Sequence, residues 1–346
     1  MAPNEYALLC LENPLLDIQA FGDQALLDKY GIKPNDAILA EEKHLGIYED
    51  LLNNHEAKLI AGGGAQNTAR GAQYILPPNS VVYLGGVGDD KYAAILHDAV
   101  KTAGLRVEYR VDKKEKTGRC GVVITGHDRS MVTDLGAANH YDLDHLKSPE
   151  VWKLVEEATH FFVGGYHLTV CPPAIQALAK EAAAKNKVFV FSLSAPFIPQ
   201  FFKEPLDASA PYWDYVIGNE TEALAYAESH GIETKDLKEI ALALAKLPKN
   251  NTQRERVAVI TQGTDPTIVA VGGKIEEFPV HAIDGNLIND TTGAGDAFAA
   301  GFTAGLVAGT SLKQAIDQGQ WLAKLSIQEL GPSFPFPKQT YQPTEQ

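Results

Sequence analysis

The string Asp290-Thr-Thr-Gly-Ala-Gly-Asp296-Ala-Phe-Ala-Ala-Gly joins a glycine-rich turn directly to an apolar helical run. At such a helix start the amides of Gly293, Ala294 and Gly295 point outward, backed by the positive end of the helix dipole, and this makes an anion site. Without side chains at Gly293 and Gly295, an oxygen-bearing ligand can approach the backbone closely. Asp296, in the first turn, is favoured as a carboxylate and can take a proton from a hydroxyl attacking beside a bound phosphate. The plainer reading is a glycine turn with an acid that only stabilises a helix start. Two commoner nucleotide readings fall away. The chain has no Gly-x4-Gly-Lys-Ser/Thr loop, and Gly62-Gly63-Gly64 lacks the acidic residue about 20 positions on that a dinucleotide fingerprint needs.

Three further strings could serve a ligand. Asn13-Pro-Leu-Leu-Asp17 follows a short apolar run, and an Asp with an Asn there could grip a vicinal diol, or simply form an Asx turn. Ala61-Gly-Gly-Gly-Ala-Gln-Asn67 brings backbone close to a ligand, or forms a hinge, and both readings are compatible. Asn219-Glu-Thr-Glu222 reads first as a helix-capping box, and equally as an acid placed to hold water around Mg²⁺. Arg129, between two short strand-like runs, is either a solvated surface cation or a mobile positive charge for a transferring phosphoryl group. His167 and the other histidines show no metal-ligand spacing.

These strings need elements to hold them. Tyr6–Leu11 and Val81–Leu84 read as buried strands, and Lys91–Ala103 as a helix closed by Gly104. Val107–Val111, Cys120–Thr125 and Met131–Asp134 read as three strands joined by turns such as Gly126-His127-Asp128, which predicts a small sheet of their own. From His160 onward, strands (161–164, 188–193, 215–218, 257–262) alternate with helices (173–185, 221–230, 237–246, 293–308), with a further strand at 267–271. A last helix covers 312–330. This alternation predicts an α/β body with a parallel sheet covered on both faces.

Composition narrows the function classes. Thirty Lys and Arg against 44 Asp and Glu leave a net charge of −14 over 346 residues, which disfavours nucleic acid and anionic membrane as partners. No apolar run is long enough to span a bilayer, and residues 1–6 lack the basic-then-apolar pattern of a signal peptide. Three scattered cysteines, Cys10, Cys120 and Cys171, form no disulfide framework and fit a reducing compartment.

In combination the strings resemble a known family. Gly293–Asp296 resembles the C-terminal signature of the ribokinase-like carbohydrate and nucleoside kinases, and Asn219–Glu222 their Asn-x-x-Glu element. Asn13–Asp17, Lys33–Glu41, Ala61–Gly63 with Gln66-Asn67, Leu193–Phe197, Gly218–Ala223 and Thr261–Gly263 are similar, in order, to eukaryotic adenosine kinases over nearly the whole chain. That resemblance implies a three-layer α/β/α sandwich with a small β-rich lid. Residues 1–14, 62–106 and 138–346 would form the large domain, and 15–61 with 107–137 the lid.

It also implies transfer of phosphate from ATP to the 5′-hydroxyl of adenosine, as in purine salvage. Asp296 would be the base, Gly293, Ala294 and Gly295 the anion hole, and Arg129 the balancing charge. Asp17 with Asn13, Gly63, Gly64 and Asn67 would hold the ribose. Leu15, Leu39, Cys120, Met131, Thr133, His167 and Phe197 would line the nucleoside pocket. Asn219 and Glu222 would organise Mg²⁺, and Thr261 and Gly263 would face ATP. The protein would be a cytoplasmic monomer, with a nuclear pool left open. Glu12, Ala37, His167 and Thr292 depart from the family pattern, which usually has Gly at position 12, an aromatic ring at 167 and often Asn at 292. A sugar kinase of the same family and a catalytically silent nucleoside-binding protein are the alternatives; apolar Leu15 and Met131 speak against the first, and the intact Asp296, Gly-Ala-Gly and Arg129 set against the second.

Overall fold

The computed structural model describes residues 5–34, 36–126 and 128–344; His127 of the expected turn, Asn35 of the Lys33–Glu41 string and residues 1–4 lie outside it. The strands, in chain order, begin with β1 (Leu8–Leu11), β2 (Leu15–Phe21), β3 (Ala37–Leu39), β4 (Lys58–Gly62), β5 (Val81–Gly88), β6 (Arg106–Asp112), β7 (Arg119–Thr125) and β8 (Asp128–Asp134). They continue with β9 (His160–Gly164), β10 (Val188–Ser192), β11 (Tyr215–Asn219), β12 (Val257–Gln262), β13 (Asp265–Val271) and β14 (Lys274–Phe278).

Nine of them form one sheet in the order β14-β13-β12-β11-β10-β9-β1-β5-β6, parallel from β12 to β6 and closed by the antiparallel β13 and β14. Side chains alternate across it. Leu9 and Leu11 of β1 join a core on one face, with the helices 172–185 and 237–245, while Leu8 and Cys10 join a second core with the helices Gly64–Ile75 and Ala294–Val307. Two buried faces explain why these strands read as unbroken apolar runs. The result is a three-layer sandwich.

The other five strands form a smaller sheet, β3-β8-β7-β2-β4, whose central strands β2 and β7 pair in parallel although Leu16 and Arg119 are far apart in sequence. One face, with Ile18, Ala20, Val123 and Val132, packs on the helices Gln24–Tyr30 and Ile47–Asn54. The opposite face looks toward the large sheet.

One expectation is corrected here. Residues 107–112 belong not to the small sheet but to β6, the edge of the large one, paired in parallel with β5. The helix Lys91–Thr102 separates β5 from β6, so the three form a strand–helix–strand crossover, and strand-like runs adjacent in sequence are parted by that geometry. Asn13–Asp17 is likewise not all loop, because Leu15–Asp17 open β2. No described helix is long and apolar enough to cross a membrane.

Candidate active site

Between the two sheets lies a cavity of about 470 Å³. Its floor is the C-terminal edge of the large sheet, the place where parallel α/β sheets receive ligands. Glu12 and Asn13 follow β1, Gly164 ends β9 with Tyr166 just beyond, Ser192 ends β10, and Asn219 and Thr261 come from the ends of β11 and β12. Its roof is the free face of the small sheet. Register puts Asp17, Cys120, Thr133 and Leu39 in one row across β2, β7, β8 and β3, with Met131 and Ala37 in the next. Because side chains alternate along a strand, Leu15, Asp17, Cys120, Arg129, Met131, Thr133 and Leu39 all face the cavity.

Two helix starts complete the walls. Gly293, with φ +79°, turns the chain into the helix Ala294–Val307, and Asp296 sits in its first turn. The amides of Gly293 and Gly295 make no hydrogen bond to other described residues, so both are available to an anion. Ala294 departs from the expected set. Its N–H donates to the Thr291 carbonyl at 3.2 Å, and the residue does not line the cavity.

Asp296 is oriented by a short relay. Its Oδ2 accepts the Asn67 amide N–H at 3.0 Å, and Asn67 Oδ1 accepts from Arg70 at 3.0 Å. Arg70 also donates to the carbonyls of Ala61 and Pro332, which ties the helix Gly64–Ile75 to the C-terminal segment. Burial raises the Asp296 carboxyl to about 6 against the opposing pull of Asn67 and Arg70. Burial likewise raises Asp17 to about 7, with Arg70 opposing and Asp296 adding to the shift.

Arg129 reaches the cavity from β8, with its Nε 3.5 Å from Asp290 Oδ1. Asp290 is a buried junction. Its carboxylate accepts from Gln19 of β2 (3.1 Å), the Thr292 N–H (2.9 Å) and the Gly331 N–H (3.0 Å).

Asn219 and Glu222 form a closed capping box. Asn219 Oδ1 accepts the Glu222 N–H at 2.9 Å, and the Glu222 oxygens accept from the Asn219 backbone and side-chain nitrogens, both at 3.0 Å. Glu222 also lines the cavity, and burial raises it to about 7. Each of its oxygens keeps lone-pair capacity. A single carboxylate with Asn219 beside it at the cavity wall is a donor set that suits one side of a hydrated Mg²⁺, which keeps most of its waters.

Of the other expected residues, Asn13, Gly63, Gly64, Asn67, Phe197 and Thr261 line the cavity. His167 does not. It is fully buried behind Asn13, its Nδ1 2.9 Å from Asn13 Oδ1, and burial lowers it to about 3, so it stays neutral and donates to that oxygen. The ring expected at 167 is supplied by Tyr166, whose centroid lies 5.9 Å from that of Phe197. Gly263 also stays outside, in the turn from β12 to β13. Sequence reasoning missed Tyr166, Arg70 and Ser194. The Tyr166 signal was a one-residue offset from His167, and the other two carry none that distinguishes them from ordinary surface and turn residues.

Comparison with known proteins agrees with this geometry. Residues 24–339 match the pfkB family carbohydrate kinase profile. The chain is 49% identical to the adenosine kinase of Schizosaccharomyces pombe over 98% of its own length and 99% of that protein's. It is 46% identical to the adenosine kinase of Saccharomyces cerevisiae, covering 96% and 98%. Among solved structures it is similar to Anopheles gambiae adenosine kinase in complex with P1,P4-di(adenosine-5) tetraphosphate, with a TM-score of 0.93, 42% identity, and coverage of 96% and 99%. Schistosoma mansoni adenosine kinase with adenosine in an occluded loop conformation gives a TM-score of 0.91 at 34% identity, covering 96% and 98%.

Proposed function

The chain belongs to the pfkB family of carbohydrate kinases, and from that premise we propose that it transfers the γ-phosphoryl group of ATP to the 5′-hydroxyl of adenosine, giving AMP and ADP. The observation that carries this reading is Asp296, held by Asn67 at a helix start beside the unused amides of Gly293 and Gly295. Asp296 takes the O5′ proton as the O5′–Pγ bond forms. The bond from Pγ to the β-phosphate oxygen breaks, and its electron pair leaves with ADP. The two amides and Arg129 balance charge on the moving group, and this step needs positioning and electrostatics more than covalent help.

Asp17 accepts hydrogen bonds from the ribose hydroxyls, with Asn13, Gly63, Gly64 and Asn67 around them. The apolar faces of Leu15, Leu39, Met131, Tyr166 and Phe197 suit a flat purine better than a second sugar. Thr261 stands on the ATP side. Glu222 and Asn219 would hold Mg²⁺ through its waters, and that ion would neutralise phosphate charge when bound. Three buried free cysteines support a reducing, cytosolic setting.

The test is ADP release from Mg-ATP with adenosine, ribose, fructose and inosine in parallel, with Asp296→Asn as control. Adenosine-dependent turnover that disappears in the variant supports the substrate and the base together. Turnover on a sugar alone overturns the pocket reading.

A further inference from the structure

Glu12 lines the cavity floor, a buried place that is unusual for an acid. The residue is 1% exposed. Its Oε2 accepts the Ala65 N–H at 2.7 Å, and its Oε1 lies 3.5 Å from Ser194 Oγ, which itself accepts the Gly165 N–H at 2.7 Å. The helix Gly64–Ile75 starts on Gly63, which has no side chain to satisfy the first amides, so Glu12, just beyond β1, supplies the missing acceptor. On the far side of Gly64 lies the catalytic acid. A Cβ at position 64 would be 3.1 Å from Glu12 Oε2 and 3.3 Å from Asp296 Oδ1. No Lys or Arg forms an ion pair with Glu12 among the described residues.

A second negative charge here would face both Asp296 and an incoming polyphosphate. Building on the proposed reaction, we infer that Glu12 is a proton-bearing positioning residue: uncharged in the working enzyme, it caps the helix that carries Asn67 and so seats Asp296 without adding a second negative charge to the phosphoryl path.

The surroundings agree with the uncharged form. Facing Glu12 are Cys10 from the preceding β1, Tyr83 from β5, Tyr166 beyond β9, and Asp296. None of these is a cation. Burial, with the Asp296 charge, pushes the Glu12 carboxyl up to about 8, against the backbone amides of Ala65 and Tyr166 and the Ser194 hydroxyl, which favour its ionised form.

Two measurements separate this inference from the reaction itself. The first is an infrared pH titration of the ligand-free protein, comparing wild type with Glu12→Gln. A protonated-carboxyl band present at pH 7, lost above about pH 8 and absent from the variant supports the inference whatever the substrate. An ionised Glu12 at pH 7 overturns it. The second is kcat against pH with saturating adenosine and Mg-ATP. Wild type should lose rate on the alkaline side as Glu12 ionises, and Glu12→Gln, which keeps an acceptor for Ala65, should remove that fall. Glu12→Ala should remove the fall and also lower kcat about tenfold at every pH, with adenosine affinity changed far less. An alkaline fall that persists in Glu12→Gln, or a Glu12→Ala change confined to thermal stability, overturns the positioning role. Absence of adenosine turnover in wild type would overturn the reaction and leave the infrared result standing.

Discussion

Asp296 and Asp17 share one cleft and one kind of environment, yet their losses should look different. Replacing Asp296 with Asn removes the base and keeps the shape, so kcat should fall by about 10²–10⁴ while adenosine still binds. The same group sets the acid side of the pH profile. Burial raises its carboxyl to about 6, and as the proposed base it acts only when ionised, so wild-type turnover should decline as pH drops through that value. Steady-state rates between pH 5 and 8 check this, and a flat profile would remove Asp296 from the role. Asp17 lies over Gly62, where a Cβ would come within 2.3 Å of its carboxylate. Asp17→Ala should weaken adenosine binding by about 1–3 kcal/mol, because the proposed ribose contact loses its acceptor. Calorimetric titration reads it, and an unchanged Kd in a folded variant would exclude Asp17 from the ribose contacts.

At the scale of elements, Asp290 connects the two sheets. Its carboxylate joins β2 through Gln19, approaches Arg129 of β8, and fixes both the anion turn and the segment at Gly331. Asp290→Ala should therefore loosen the small sheet over the site, with faster hydrogen exchange in β2 and β8 and a kcat reduced about tenfold or more. Exchange confined to the anion turn would show that the two sheets are coupled elsewhere. A second contact between elements is steric. A Cβ at Gly164 would sit 1.7 Å from Glu12 Oε1, so Gly164→Ala should lower the Tm sharply, and adding Glu12→Gly should recover most of the loss.

The helices over 91–102, 172–185 and 294–307 were legible because period and termini agreed, and the central strands because both their faces are buried. β6 was placed in the wrong sheet because pairing across a crossover leaves no mark in a short strand's own residues. His167 and Tyr166 were exchanged for a similar reason: one residue of rotation decides which ring meets the cavity. The glycine turn into a helix that carries Asp296 in its first turn was legible, although the Ala294 amide is taken by Thr291.

For the whole molecule, the cleft imposes a pH-dependent cost. Glu12, Asp17, Glu222 and Asp296 hold protons more tightly folded than unfolded, so their contribution to stability should fall as pH rises from the ordinary carboxylate range to about 8. Buried His160 and His167, both lowered, favour protonation of the unfolded chain and offset part of that fall below about pH 6.5. Tm of the ligand-free protein should thus fall between about pH 6.5 and 8, and Glu12→Gln should flatten that fall. A Tm that climbs steadily to pH 9 would contradict the buried-acid picture. The parallel pairing of β2 with β7 has a consequence for how the molecule is made. A strand completed by residue 21 must wait for a partner that starts at 119, so during synthesis the roof of the site cannot assemble until more than a third of the chain has emerged. Folding is then paced by a long loop closing, and a recombination event that exchanged the small sheet alone would need four junctions, two for each of its separated segments.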